Sequence, residues 1–108
     1  MKNKDNSEYT EARHQMVENQ LIKRGIDNEK VTEAFRSVPR HRFVPDKLKE
    51  KAYEDRPLPI KKGQTISQPF IVAQMIAALH PDSESKMLEI GTGSGYATAE
   101  FISSKKDF

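Results

Sequence analysis

Three glycines alternate in the stretch Glu89-Ile90-Gly91-Thr92-Gly93-Ser94-Gly95, and a serine stands in Gly63-Gln64-Thr65-Ile66-Ser67-Gln68-Pro69. Alternating glycines open backbone angles closed to other residues and let the main chain touch a ligand with no Cβ in the way. Where such a loop feeds a helix, free N–H groups and the positive end of the helix dipole favour an anionic group. The spacing then sorts the ligands. A phosphate-cradling P-loop ends in Gly-Lys-Ser/Thr, but here Gly95 is followed by Tyr96 and Ala97. The dinucleotide fingerprint G-x-G-x-x-G wants glycine at position 96, which is Tyr96. What remains is an acid, Glu89, two places ahead of G-x-G-x-G.

Ser67 taken alone is a good helix N-cap before Gln68-Pro69. No G-x-S-x-G elbow surrounds it, and the spacing of His14, His41 and His80 pairs none of them with it as a base. The chain has no cysteine, which excludes a disulfide framework, a thiolate nucleophile and a zinc–thiolate site. No metal site is expected. Arg36, Arg40, His41 and Arg42 form the densest basic cluster, and they read as a solvated helix end. A nucleic-acid footprint would need a longer stripe with aromatic platforms. No run reaches the roughly 18 apolar residues of a membrane span, and the polar start lacks an apolar signal region. A soluble, cytoplasmic protein that binds neither nucleic acid nor membrane is expected.

The elements that must position these residues follow from periodicity. Tyr9, Ala12, Met16, Val17 and Leu21 recur at helical spacing, which predicts a helix over about 7–24 closed by a left-handed Gly25. Asp27 or Asn28 can cap a second helix that buries Val31, Ala34, Phe35 and Val38 and stops at Pro39. Phe43-Val44-Pro45 reads as an extended connector, and Asp46 opens a short helix to about Ala52. Residues 53–63, with Pro57 and Pro59, are expected to lie extended over the surface. Ser67-Gln68-Pro69 starts a helix whose wide apolar side, from Phe70 to Leu79, expects cover on more than one side. Pro81-Asp82-Ser83 breaks it. Lys86-Met87-Leu88-Glu89-Ile90 is the only convincing strand, and Tyr96 to Ser104 reads as the helix after the glycine loop. A single strand leaves its backbone groups without neighbours, so the sheet is expected to be incomplete.

With Glu89 ahead of it, the glycine loop resembles the first motif of Rossmann-like methyltransferases that use S-adenosylmethionine. The string Gly63 to Pro69, followed by Leu88 to Tyr96, closely resembles the protein-L-isoaspartate O-methyltransferase family. So do Met16-Val17 through Arg24-Gly25-Ile26, Val38-Pro39-Arg40, Arg42-Phe43-Val44-Pro45, and Ala52-Tyr53-Glu54-Asp55 with Leu58-Pro59-Ile60. The resemblance spans about 16–99. It implies an α/β fold: a helical segment over 1–63, then over 64–108 the first βα unit of a Rossmann-like sheet, broken off.

The resemblance also implies a reaction, in which a methyl group passes from S-adenosylmethionine to the free α-carboxyl of L-isoaspartyl residues in damaged proteins. Carried over by position, Gly91, Thr92, Gly93, Ser94 and Gly95 pass beneath the methionine part of the cofactor, and Glu89 helps to hold its amino end. Ser67 matches the active-site serine, with Gln64, Thr65 and Ile66 beside it where cofactor and substrate meet. Lys61-Lys62 departs from the glycine or acid common before Gly63. Family members run well beyond this length, and the acid that would bind the ribose and the adenine loop have no counterpart. The chain is therefore expected to be an N-terminal half, inactive alone. Its expected partners are isoaspartyl proteins and a complementary C-terminal segment. The alternatives are a non-catalytic fragment that needs a complementary chain, and another small-molecule methyltransferase.

Overall fold

A computed structural model describes residues 6–79 and 95–105 of the chain. The first helix forms where the apolar spacing places it. An α-helix, α1, covers Asn6–Met16, widens into a π turn over Val17–Leu21, and closes as a 3-10 turn over Ile22–Arg24. In the π turn the Ile22 N–H faces the carbonyls of both Val17 and Glu18. Met16, Val17 and Leu21 are all buried there. Gly25 ends the run at φ 100°, in the left-handed region. Its N–H donates to the Ile22 carbonyl and the Ile26 N–H donates to the Leu21 carbonyl, both at 3.0 Å, which closes a Schellman motif.

Asn28 caps the second helix, α2, Glu29–Ser37. Its side-chain oxygen accepts from the N–H groups of Lys30 at 3.0 Å and Val31 at 3.3 Å. Asn28→Ala is expected to lower stability by about 1 kcal/mol in urea denaturation, while Asp27→Ala leaves the midpoint in place. Val38 turns extended at ψ 122° ahead of Pro39.

Past Pro39 the structure departs from the sequence reading. Phe43 is not part of an extended connector but closes a 3-10 turn over Arg40–Phe43, and only Val44 and Pro45 are extended. A second 3-10 turn covers Asp46–Lys51. The stretch expected to lie over the surface holds a strand, β1, Leu58–Pro59, antiparallel to β2, Thr65–Ile66. Leu58 faces Ile66 across the pair, and both side chains are buried. Lys86–Ile90 is therefore not the only candidate strand; that segment and the break at Pro81 lie outside the described residues.

Helix α3, Pro69–Ala78, carries its proline in the first turn. Val72, Ala73 and Ile76 enter the core, where the helix meets α2 and the π turn. Ile71, Met75 and Leu79 stay exposed, so among the described residues the wide apolar face is covered on one side only. Helix α4, Tyr96–Ser104, matches its expected bounds and packs chiefly on α2. One core joins Met16, Leu21, Phe35, Leu58, Ile66, Val72, Tyr96 and Phe101. The described residues thus form a helical assembly with a two-stranded antiparallel sheet, and none of its helices is long and apolar enough to cross a membrane.

Candidate functional site

The segment that carries Ser67 is the return strand of a tight hairpin. The Ile60 N–H donates to the Gln64 carbonyl at 2.8 Å, and the Gln64 N–H donates to the Lys61 carbonyl at 3.3 Å. Between them Lys62 (φ 61°) and Gly63 (φ 72°) are both left-handed, which reverses the chain within two residues. Glycine takes that conformation freely, whereas the Cβ of Lys62 makes it unfavourable there. Side chains then alternate as a strand requires: Thr65 out, Ile66 into the core, Ser67 out. Gln64 lines a cleft of about 510 Å³ with Arg42, Phe43 and Lys61.

Ser67 is not the cap of α3. That position falls to Gln68, which caps with no side-chain bond. The Ser67 hydroxyl is left exposed, and no hydrogen bond engages it among the described residues. Its neighbour is tied down instead. Gln68 Nε2 donates to Asp55 Oδ1 at 2.6 Å, and Arg24 Nη1 donates to the same oxygen at 3.1 Å. Arg24 Nη2 also pairs with Asp55 Oδ2, and the guanidinium carbon lies 5.5 Å from the Phe70 ring centroid. The Arg24 hydrogen bonds, helped by Gln68, hold the Asp55 carboxyl below its ordinary range.

Of the glycine loop, Gly95 falls within the described residues; Glu89, Gly91, Thr92, Gly93 and Ser94 lie outside them. Gly95 is the N-cap of α4 at φ 84°, and its carbonyl accepts the Ala99 N–H at 3.0 Å. Among the described residues a Cβ built on it would meet no atom within 4 Å, so the backbone angle, not crowding by them, calls for the glycine.

Two buried polar clusters escaped the sequence reading. The basic run is not a solvated helix end, because Arg40 and His41 both turn inward. Arg40 Nε donates to the Ala52 carbonyl at 2.6 Å, and its guanidinium carbon sits 4.9 Å from the Tyr96 ring centroid. Beside them Glu100 is 0% exposed. Among the described residues no well-formed hydrogen bond reaches the Nη atoms of Arg40 or the carboxylate oxygens of Glu100, and the pull on the Glu100 carboxyl comes from the Tyr96 hydroxyl and then the Arg40 charge. Burial wins over that attraction and pushes the Glu100 carboxyl up to about 8. Tyr96 and Glu100, four apart on the α4 face that also buries Phe101, were the available sequence signal. In the second cluster His41 stacks on Tyr9 at 3.9 Å between centroids, with Nδ1 2.9 Å from the Tyr53 hydroxyl. Burial, and then the charges of Arg13, Arg42 and Lys49, pull the His41 imidazole below its ordinary value.

Comparison with known proteins gives this arrangement relatives. Residues 11–106 match the family model described as protein-L-isoaspartate(D-aspartate) O-methyltransferase (PCMT). The chain is 56% identical over 98 residues to a protein-L-isoaspartate O-methyltransferase of Pelotomaculum thermopropionicum, covering 91% of this chain and 43% of that protein. It is 57% identical over 90 residues to one from Opitutus terrae, covering 83% of this chain and 39% of the relative. A relative from Methanoculleus marisnigri is 59% identical over 87 residues, covering 81% of this chain and 40% of its own length. The chain thus spans about two fifths of the length of these curated relatives.

Proposed function

The chain belongs to the protein-L-isoaspartate(D-aspartate) O-methyltransferase family, and on that footing we propose that it carries the substrate-orienting part of a methyl-transfer site for L-isoaspartyl carboxylates. In this reading residues 1–63 form a helical segment and 64–108 open a Rossmann-like domain. Glu89 and Gly91 to Gly95 would hold S-adenosylmethionine, with Gln64, Thr65 and Ile66 alongside. Left-handed Gly95, with no described residue near its Cβ position, fits a main chain that a ligand approaches closely. When bound, the cofactor supplies a methyl group already activated on a sulfonium.

The chain's own residues then have a limited task. The isoaspartyl carboxylate is an anionic nucleophile as it stands, so no strong general base is required of the protein. Alignment and the exclusion of water carry the rate. The observation that most supports the reading is the Ser67 hydroxyl, exposed, unengaged among the described residues and placed between a strand and a helix. It can donate to one carboxylate oxygen and orient the other. The side chain of Ile66 is committed to the core, which leaves its main chain as the part able to meet a ligand.

The test is transfer of a radiolabelled methyl group to an isoaspartyl peptide, with the matching aspartyl peptide as control. It is run on the chain alone and again with the remaining portion of the Pelotomaculum relative added. No transfer is expected from the chain alone, and transfer to the isoaspartyl peptide only is expected once the remaining portion is added. Ser67→Ala should lower kcat on the order of tenfold to a hundredfold, with affinity for S-adenosylmethionine changed less than about twofold. An unchanged kcat removes Ser67 from the mechanism. Equal transfer to both peptides would point to a different methyltransferase.

A further inference from the structure

We propose that Asp55 is a positioning residue whose carboxylate latches Gln68, and with it the Ser67 segment, to Arg24 at the end of the first helix. Three parts of the chain far apart in sequence meet at this carboxylate. Arg24 comes from the 3-10 turn that closes the first helical run, Asp55 from the loop ahead of β1, and Gln68 from the cap of α3. Asp55 Oδ1 accepts from Gln68 Nε2 at 2.6 Å and from Arg24 Nη1 at 3.1 Å, and Oδ2 pairs with Arg24 Nη2. A planar guanidinium meeting both oxygens of a carboxylate fixes orientation as well as distance. Arg24 is steadied in turn over the ring of Phe70, the second residue of α3.

The latch matters because nothing local holds Ser67. The cap of α3 has no side-chain bond of its own, and β2 is two residues long. A segment held by so little backbone pairing would open readily, and an orienting hydroxyl must stay within a narrow range of positions to act. Gln68 follows Ser67 directly, so a bond on its side chain restrains Ser67 without occupying it. The functional half of this proposal rests on reading Ser67 as part of the methyl-transfer site; the latch itself does not.

Two measurements separate those halves. Amide hydrogen exchange is followed across residues 64–68 of the 108-residue chain. Gln68→Ala and Asp55→Ala are expected to speed it about tenfold, the scale of one hydrogen bond lost. Asp55→Asn keeps an acceptor for Gln68 but sets an NH2 group against Arg24 Nη2, so its rate should fall between those of the parent and Asp55→Ala. Exchange at these amides that is the same in all four proteins overturns the latch. In the methyl-transfer assay, Gln68→Ala should lower kcat about tenfold and leave KM for S-adenosylmethionine within about twofold. Fast exchange with an unaltered kcat overturns the positioning role. A parent chain that transfers no methyl group even with the remaining portion of the Pelotomaculum relative added overturns the reading of Ser67, while the exchange rates still decide the latch.

Discussion

Glu100→Gln should remove a decline in stability that is expected of the parent chain as pH rises from about 5 to about 9. Glu100 is 0% exposed, and burial outweighs the pull of Tyr96, Arg40 and Arg13 on its carboxyl. Its ordinary value of 4.5 becomes about 8 in the fold. Between those values the folded state holds a proton that the unfolded state has released. Stability from this group is fully present below about 4.5 and is lost as pH rises through about 8. The loss is on the order of a few kcal/mol, a large part of a small domain's total. Glutamine keeps the shape and never ionises, so the variant's stability curve should lose the fall toward alkaline pH. His41 works in the opposite sense, since its lowered value favours the fold above the ordinary imidazole range and is lost on acidification. Urea denaturation of both proteins at several pH values decides the matter. Parallel curves for parent and variant would show that Glu100 is not the source.

Phe35→Ala should come close to unfolding the protein. Phe35 lies fully buried on α2, edge-on to Tyr96 at 6.0 Å and 89°. It therefore joins α2 to α4, the pair of helices that share the largest contact. Removing a buried phenyl ring costs about 3–5 kcal/mol, through lost transfer energy and the cavity left behind. A small domain has about 5–15 kcal/mol in total. The control is Ile102→Ala on the same helix, where a side chain 56% exposed should contribute less than about 0.5 kcal/mol. Thermal melts that fall together in both variants would contradict the assigned burial.

What could be read from the sequence was set by range. The Gly25 terminus, the Asn28 cap and the helix from Tyr96 to Ser104 depend on residues within a turn or two of each other. Such signals survive in a one-dimensional pattern. The β1–β2 pair did not, because two residues per strand leave no alternation to detect. Arg40 and His41 looked like surface charge, since nothing nearby in sequence says that Tyr96 and Tyr9 will close over them. The wide face of α3 suggested cover on both sides, yet the described chain supplies it on one. At the candidate site, Gln64 to Ser67 stood out as a string with recognisable chemistry. The Asp55 bonds did not, because their partners lie 31 and 13 positions away.

The two buried polar clusters also make the protein report on itself optically. The chain has no tryptophan and three tyrosines, so its near-ultraviolet emission comes from Tyr9, Tyr53 and Tyr96. Tyr9 and Tyr53 both touch the His41 ring, and Tyr96 lies under Arg40. Every native fluorophore therefore sits against a titratable or cationic group, and a ring stacked on imidazole emits differently once that imidazole gains a proton. A plain tyrosine spectrum, with no label attached, becomes a readout of whether each cluster is assembled.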